Sequence, residues 1–166
     1  EGHRMRIGVV SDTHSTGENQ PLPEQLVHAL KKTDLIVHAG DIITLEALKQ
    51  LKAIGPEVKA VAGNMDSDEL KASLPKKEFF TAGKFKIAVM HGWGPPANLP
   101  KVVLEELGAE KPDVIIFGHS HAPCNKVVSG ILLFNPGSAM DTIYADSNSY
   151  GIIEVDKQIK AKIITL

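Results

Sequence analysis

Ile7-Gly8-Val9-Val10-Ser11-Asp12-Thr13-His14 is a short apolar run that stops abruptly at a cluster of polar side chains. With Arg6 before it, the run has the length and β-branched content of a buried strand, and the helical spacing of Leu22, Leu26, Ala29 and Leu30 follows. The same grammar recurs along the chain. A second strand at Asp34-Leu35-Ile36-Val37 runs into Ala39-Gly40-Asp41, and a third at Val58-Lys59-Ala60-Val61 runs into Ala62-Gly63-Asn64. Between them Thr44 to Leu51 reads as a short helix in which Thr44 can cap and Leu45, Leu48 and Leu51 share a face. Glu78 to Thr81 and Lys86 to Met90 flank Gly83 like a hairpin whose second arm ends at His91-Gly92. A helix over Pro100 to Leu107 leads to a strand over Asp113 to Phe117, which ends in Gly118-His119-Ser120-His121.

Beyond residue 120 the texture changes to hairpins, one turning at Ser129-Gly130 and one at Asp156-Lys157-Gln158. Strand–helix units followed by hairpins, with no repeat or linker between them, predict an α/β domain. Two mixed sheets pack face to face in it, with helices outside. Residues 5–166 read as that single domain, and residues 1–4 as the remnant of an expression tag, which removes His3 from consideration as a site residue.

The polar residues after each strand are separated by steps of 23 to 29 residues from Asp12 through Asp41, Asn64 and His91 to His119. Each step is about one strand–helix–strand unit, for which ~30 residues is usual. Ligands of open α/β sheets bind beyond the carboxyl ends of the strands, so these residues are expected to meet at one sheet edge. Asp-x-His and His-x-His on extended backbone would each place two side chains on one side. The glycines before Asp41, Asn64 and His119 allow sharp turns and close backbone approach. Carboxylate oxygen, imidazole nitrogen and amide oxygen together suit divalent first-row metals: manganese foremost, with nickel, iron, cobalt and zinc as alternatives, all ahead of magnesium or calcium. Seven such side chains are too many for one ion and right for two that share a carboxylate.

Asp12-x-His14, Gly40-Asp41, Gly63-Asn64, His91 and Gly118-His119-x-His121 together resemble the signature of the calcineurin-like metallophosphoesterases, in particular their small single-domain prokaryotic phosphodiesterase branch. The resemblance runs from residue 7 to the final hairpin and implies a four-layer αββα sandwich. It further implies one metal at Asp12, His14, Asp41 and His121 and a second at Asp41, Asn64, His91 and His119, with Asp41 bridging. The implied reaction is hydrolysis of a small phosphate ester by in-line attack of a metal-bridging hydroxide. Asp41, Asn64 and His91 would act in catalysis, and Asn64 would touch the substrate; Trp93, which follows His91 closely, is either a substrate-facing wall or a loop anchor. Many relatives carry histidine directly after the Gly-Asn pair, where it can protonate the leaving group. This chain has Met65 there, which points to substrates with good leaving groups. The retromer coat's metallophosphoesterase-like subunit is also similar, so a protein-interaction scaffold that retains the metal site is the competing reading. A homodimer is the assembly the family suggests.

Composition is consistent with this. The net charge is −2 with neutral histidines and no Lys/Arg cluster stands out, which disfavours an extended nucleic-acid surface. One cysteine, Cys124, excludes an internal disulfide and suits a reducing cytoplasm. No apolar run approaches the ~20 residues that span a bilayer. Cys124 is expected to be a semi-buried structural residue, His38 a hydrogen-bonded core histidine, His28 a surface residue on its helix, and Asp66 structural rather than a substitute acid. Asn135-Pro136-Gly137-Ser138 resembles a stretch of the same branch that follows a hairpin strand and would lie near the site; a tight turn explains it equally well, and it stays outside the ligand set. Ser11 and Ser15, beside the first ligands, are not expected to be nucleophiles.

Overall fold

The computed structural model describes residues 4–15 and 20–166, so His3 lies outside the described residues. The opening run forms β1 (Met5–Val10), which pairs in parallel with β2 (Leu35–His38) across helix α1 (Glu24–Leu30). β2 pairs in parallel with β3 (Glu57–Ala60) across α2 (Leu45–Lys52). Helix α1 begins later than its apolar spacing implied because Pro23 takes the cap position; Leu22 packs on the outer face of the sheet from the preceding turn. Thr44 caps α2 as expected, its hydroxyl accepting from the Ala47 N–H at 3.1 Å.

After β3 the chain leaves this sheet. It forms α3 (Asp68–Ser73) and then the antiparallel hairpin β4 (Lys77–Ala82) and β5 (Phe85–Met90), which founds a second sheet. Helix α3 was not expected: its apolar side chains are too few to make a pattern, and only Leu70 is buried. Its cap is nevertheless written in the sequence, since the Ser67 hydroxyl accepts from Leu70 N–H at 3.3 Å and Asp68 and Glu69 occupy the first turn. β5 continues through α4 (Leu99–Leu107) to the parallel strand β6 (Val114–Ile116). The hairpin β7 (Cys124–Val128) and β8 (Ile131–Asn135) completes the second sheet in the order β4-β5-β6-β8-β7. The last hairpin, β9 (Ser149–Val155) and β10 (Ile159–Thr165), returns to the first sheet, whose order is β10-β9-β1-β2-β3.

The near-equal spacing of polar residues therefore has two origins. Asp12 to Asp41, Asp41 to Asn64 and His91 to His119 each span a parallel strand–helix–strand unit. Asn64 to His91 does not; that step crosses from one sheet to the other through α3 and a hairpin. Residues at strand ends of both sheets consequently face one another.

Three apolar clusters define four layers. Ile7, Val9, Val37, Val89, Ile116 and Phe134 fill the space between the sheets. Leu26 and Leu30 of α1 and Leu51 of α2 cover Val10, Ile36 and Ile152 on one outer face. Leu99, Val103 and Leu107 of α4 cover Ala88, Ile115 and Leu133 on the other. Val9 and Val10 are both fully buried although they point to opposite sides, which is why β1 reads as a continuous apolar run rather than an alternating one. No helix among the described residues is long and apolar enough to cross a membrane.

Candidate metal centre

Five strand ends deliver the seven residues singled out in the sequence. β1 supplies Asp12 and His14, β2 supplies Asp41, β3 leads to Asn64, β5 to His91, and β6 to His119 and His121. The local geometry differs from expectation in one respect. Asp12, His14, Asp41, His119 and His121 all have left-handed backbones, with φ between 47 and 72°. The members of Asp12-x-His14 and His119-x-His121 thus converge through tight turns, not through the alternation of an extended strand. Left-handed non-glycine residues cost roughly 1 kcal/mol each and persist only where their surroundings fix them. Here the fixing bonds run between loops: Asp12 N–H to Gly40 O at 3.0 Å, His14 N–H to Asp41 O at 3.1 Å, and Gly118 N–H to His91 O at 3.1 Å. Of the three glycines, Gly40 alone has a positive φ, 103°; at Gly118 the demand is room, because a Cβ would collide with Ser11 Oγ and lie 2.7 Å from Asp12 Oδ2.

Asp12 and Asp41 are buried and three imidazoles face them. His121 Nε2 is 3.3 Å from Asp12 Oδ1, and His14 Nε2 is 3.8 Å from the same atom and 3.4 Å from Asp41 Oδ2. His91 Nε2 is 3.7 Å from Asp12 Oδ1, 3.3 Å from Asp41 Oδ2 and 3.0 Å from Asn64 Oδ1. Two donor groups result, Asp12 with His14 and His121, and Asp12 with Asp41 and His91, each with its ligand atoms within 4.8 Å of one another. Atoms bound ~2.0–2.2 Å from one ion lie about 3.0–3.5 Å apart, close to what is seen. Most telling, Asp12 Oδ1 and His14 Nε2 are buried and have no hydrogen-bond partner. An anionic oxygen left so is costly unless a cation completes its surroundings. The donor set fits divalent metal ions.

The charges act on one another accordingly. Burial raises the Asp12 carboxyl, but the nearby rings of His121, His14 and His91 and the Ser11 hydroxyl outweigh it and hold the group far below the usual carboxylate range. Asp41 is lowered in the same way against burial, by His14, His91 and the Met65 N–H. Reciprocally, Asp12 and Asp41 lift His14 to about 10. Burial lowers His91, and the two carboxylates more than reverse this. The protons so retained occupy the nitrogens that a metal would need, so ions and protons compete for the site.

His119 is the least tied to the carboxylates. Its ring stands edge-on to His91 with centroids 5.3 Å apart, and its Nε2 lies 3.1 Å from Gly94 O. Donation from Nε2 leaves Nδ1 as the lone-pair nitrogen.

The residues that hold the ligands could not be named from the sequence, and the structure identifies them. His91 Nδ1 donates to Ala39 O at 2.8 Å, and His121 Nδ1 pairs with Asp141 Oδ2 at 2.5 Å. Asp141 lies 20 residues downstream of its partner, with no motif to mark it. Asp66 is structural, as expected: buried, it accepts from Asp41, Ile43 and Gly63 N–H, clamping the loops after β2 and β3. His38 is a core histidine bonded to Thr13 Oγ1 and Gly40 N–H, and burial lowers it to about 4. His28 is exposed on α1. Cys124 is half-buried, and burial raises its thiol, which does not suit a nucleophile. Asn135 to Ser138 is more than a turn: Asn135 Nδ2 donates to Gly118 O, and the Ser138 hydroxyl donates to Asp12 O at 2.8 Å. Ser11 Oγ donates to Asp12 Oδ2 and Ser15 Oγ to Gln20 O. Trp93 is half-exposed in the loop after His91.

Comparison with known proteins identifies the family and the fold. The family model described as "Calcineurin-like phosphoesterase superfamily domain" matches residues 5–158. The "Probable metallophosphoesterase MJ0623" of Methanocaldococcus jannaschii is 36% identical over 166 residues, covering 99% of this chain and 83% of that protein. A solved structure described as a novel archaeal phosphodiesterase superimposes with a TM-score of 0.81 at 22% identity, covering 98% of this chain and all of the other. Wild-type Vps29 of Entamoeba histolytica, solved with Zn²⁺, superimposes with a TM-score of 0.70 at 25% identity over 97% of this chain and 99% of that one.

Proposed function

The chain belongs to the calcineurin-like phosphoesterase superfamily, and from that premise we propose that it is a dinuclear phosphodiesterase, with Asp12, His14, Asp41 and His121 holding one ion and Asp41, Asn64, His91 and His119 the other. The observation that carries this reading is the unpartnered Asp12 Oδ1, buried opposite three imidazole nitrogens. Two divalent ions, when bound, supply the positive charge that draws in an anionic phosphoester and the means to activate water near neutral pH.

The chain's own residues do the rest. Asp41 offers Oδ2 to both halves of the site, while its Oδ1 accepts from Met65 N–H at 2.8 Å and so fixes the carboxylate plane. Asn64 sits exposed at the mouth, with Oδ1 toward His91 and its amide free to meet a phosphate oxygen. Trp93, half-exposed in the loop after His91, is the substrate-facing wall in this reading. Met65, 56% exposed, can donate no proton to a departing alkoxide, and Asp66 is consumed by three backbone N–H groups. With no proton donor at these two positions, esters of acidic alcohols are the favoured substrates.

Manganese is the first choice of metal, with nickel, iron, cobalt or zinc as alternatives, and a reducing cytoplasm the setting that the single cysteine suits. The second reading, a protein-interaction scaffold that retains the metal site, is supported by the likeness to Vps29, one structure of which was solved with Zn²⁺. The test is to strip metal with chelator, restore single metals, and compare bis(p-nitrophenyl) phosphate with p-nitrophenyl phosphate. Diester turnover restored by manganese or nickel is expected. No turnover of either ester with any metal would overturn the proposal.

A further inference from the structure

A cavity of about 410 Å³ opens beside His14 and His121. Its volume falls within the ~300–1,000 Å³ usual for small-molecule sites. Met140, Ile143 and Tyr144 form its far wall, and Ile143 and Tyr144 are 79% and 81% exposed. The Tyr144 ring stands 6.3 Å from the His121 ring, centroid to centroid. Large apolar side chains this exposed, over a cavity that reaches candidate metal ligands, are a surface awaiting a partner.

This wall is fixed in place. Asp141 Oδ1 accepts from Ile143 N–H at 2.8 Å, and its Oδ2 accepts from Tyr144 N–H at 3.1 Å and pairs with His121. Asp141 N–H and the Asp12 carbonyl share the Ser138 hydroxyl, and Asn148 Nδ2 donates to Asp141 O at 2.7 Å. The same carboxylate therefore orients His121 and sets the position of Tyr144. Charge decides what the cavity accepts. No Lys or Arg lines it among the described residues. Apart from His14 and His121, whose ring nitrogens face Asp12 and which the proposed metal ion would engage, its one charged group among the described residues is the Asp141 carboxylate, whose oxygens are occupied, so no Lys or Arg is there to compensate a second phosphate.

We propose that this cavity takes one ester arm of the phosphodiester, and that the arm is a flat, uncharged aromatic group lying against Tyr144, without further phosphate or other anionic charge. The proposal rests on the phosphodiesterase reading and narrows its substrate class, setting aside polyphosphorylated esters.

Two diesters with the same leaving group test it, bis(p-nitrophenyl) phosphate and methyl p-nitrophenyl phosphate, assayed with the manganese-loaded protein. Aromatic contact of this kind contributes roughly 5- to 100-fold, so the methyl ester should have a KM higher by that factor. A sulfonate on the second ring should raise KM as well. Tyr144→Ala should bring the aryl and methyl values together, and Tyr144→Phe should keep them apart. Because the Tyr144 side chain is exposed and the loop is held by backbone N–H groups, the variant is expected to fold. KM values for the two diesters within about twofold of each other, or a difference that Tyr144→Ala leaves intact, would overturn the proposal.

A second measurement does not need turnover. The chain has two tyrosines, Tyr144 and the buried Tyr150, so their ring proton signals are separable. In chelator-treated protein, 4-nitrobenzyl alcohol should shift the Tyr144 signals and leave Tyr150 in place. If no metal restores hydrolysis but Tyr144 shifts, the catalytic reading fails while the aromatic site stands. If hydrolysis proceeds and Tyr144 neither shifts nor discriminates, this inference fails alone.

Discussion

Removing the Asp66 carboxylate tests whether the site is built by loop clamping or merely decorated by it. Asp66 is 4% exposed and accepts from Gly63 N–H at 2.7 Å, Ile43 N–H at 2.7 Å and Asp41 N–H at 3.2 Å. Ile43 is β-branched and has φ 92°, a conformation that needs a restraint, and this bond supplies one. Asp66→Ala strands two buried donors and one half-buried donor at ~1–3 kcal/mol each; allowing for water that enters the space, the expected loss is about 3–5 kcal/mol. That is a large share of the ~5–15 kcal/mol that keeps an ordinary domain folded. For a chain of this size it corresponds to a fall in Tm of about 6–20 °C. Asp66→Asn keeps one oxygen acceptor but turns an N–H₂ toward a donor, so about 1–2 kcal/mol should be lost. Both numbers come from guanidinium midpoints at unchanged m, measured in chelator so that metal linkage does not contribute. Calorimetric titration with manganese adds the functional side, because Asp41 and Asn64 stand on the two clamped loops; affinity should drop about 10- to 100-fold in Asp66→Ala. If both variants stay within ~0.5 kcal/mol of the parent and bind manganese equally, the clamp is not what holds the ligands.

Asp41→Asn keeps an oxygen for Met65 N–H but removes the anionic oxygen facing His14 and His91. It should fold normally by circular dichroism, lose diesterase activity by at least ~10³-fold, and lose one of two manganese sites; near-normal rates would refute the bridging role. Asp141→Ala should weaken manganese binding by about 10-fold in calorimetry, since His121 then loses the partner of its Nδ1. The metal-free protein should be most stable near pH 6.5 in thermal unfolding. Below that pH, His38, lowered to about 4 by burial, takes up a proton more readily unfolded than folded, and stability falls; Asp12 and Asp41, lowered by their histidines, act in the same sense at more acid pH. Above it, His14, raised to about 10, holds a proton that the unfolded chain has released, so stability falls again toward pH 10, and saturating manganese should remove that alkaline decline.

Much of this was legible because the ligands are punctuation: each follows a buried strand, and buried strands announce themselves as apolar runs. Asp12, Asp41, Asn64, His91, His119 and His121 could therefore be ordered against the sheet without knowing a single contact. What failed was whatever depended on a turn or on the far side of a loop. Asp-x-His was read as strand alternation, yet the backbone at Asp12 and His14 is left-handed, and no period in the sequence encodes that. Helix α3 escaped because one buried leucine makes no pattern. Asp141 escaped because the loop that carries it has no period; only tertiary contact with His121 selects it from the chain's other acidic residues.

The role of Asp12 shows why both sheets are required. Its N–H bonds to Gly40 after β2, its carbonyl accepts from Ser138 beyond β8, and its Oδ2 accepts from Ser11 and from His119 N–H after β6. Only Oδ1 is left over, and it faces His91 from β5 and His121 from β6. One residue at the end of one strand thus joins the loops of three others and still presents a single free anionic oxygen. Burying that oxygen is unfavourable by itself, and it is the other four bonds that hold it there. The fold thus gathers an anionic oxygen and three imidazoles whose charge either protons on the rings or a divalent cation can balance, and the two compete for the same nitrogens.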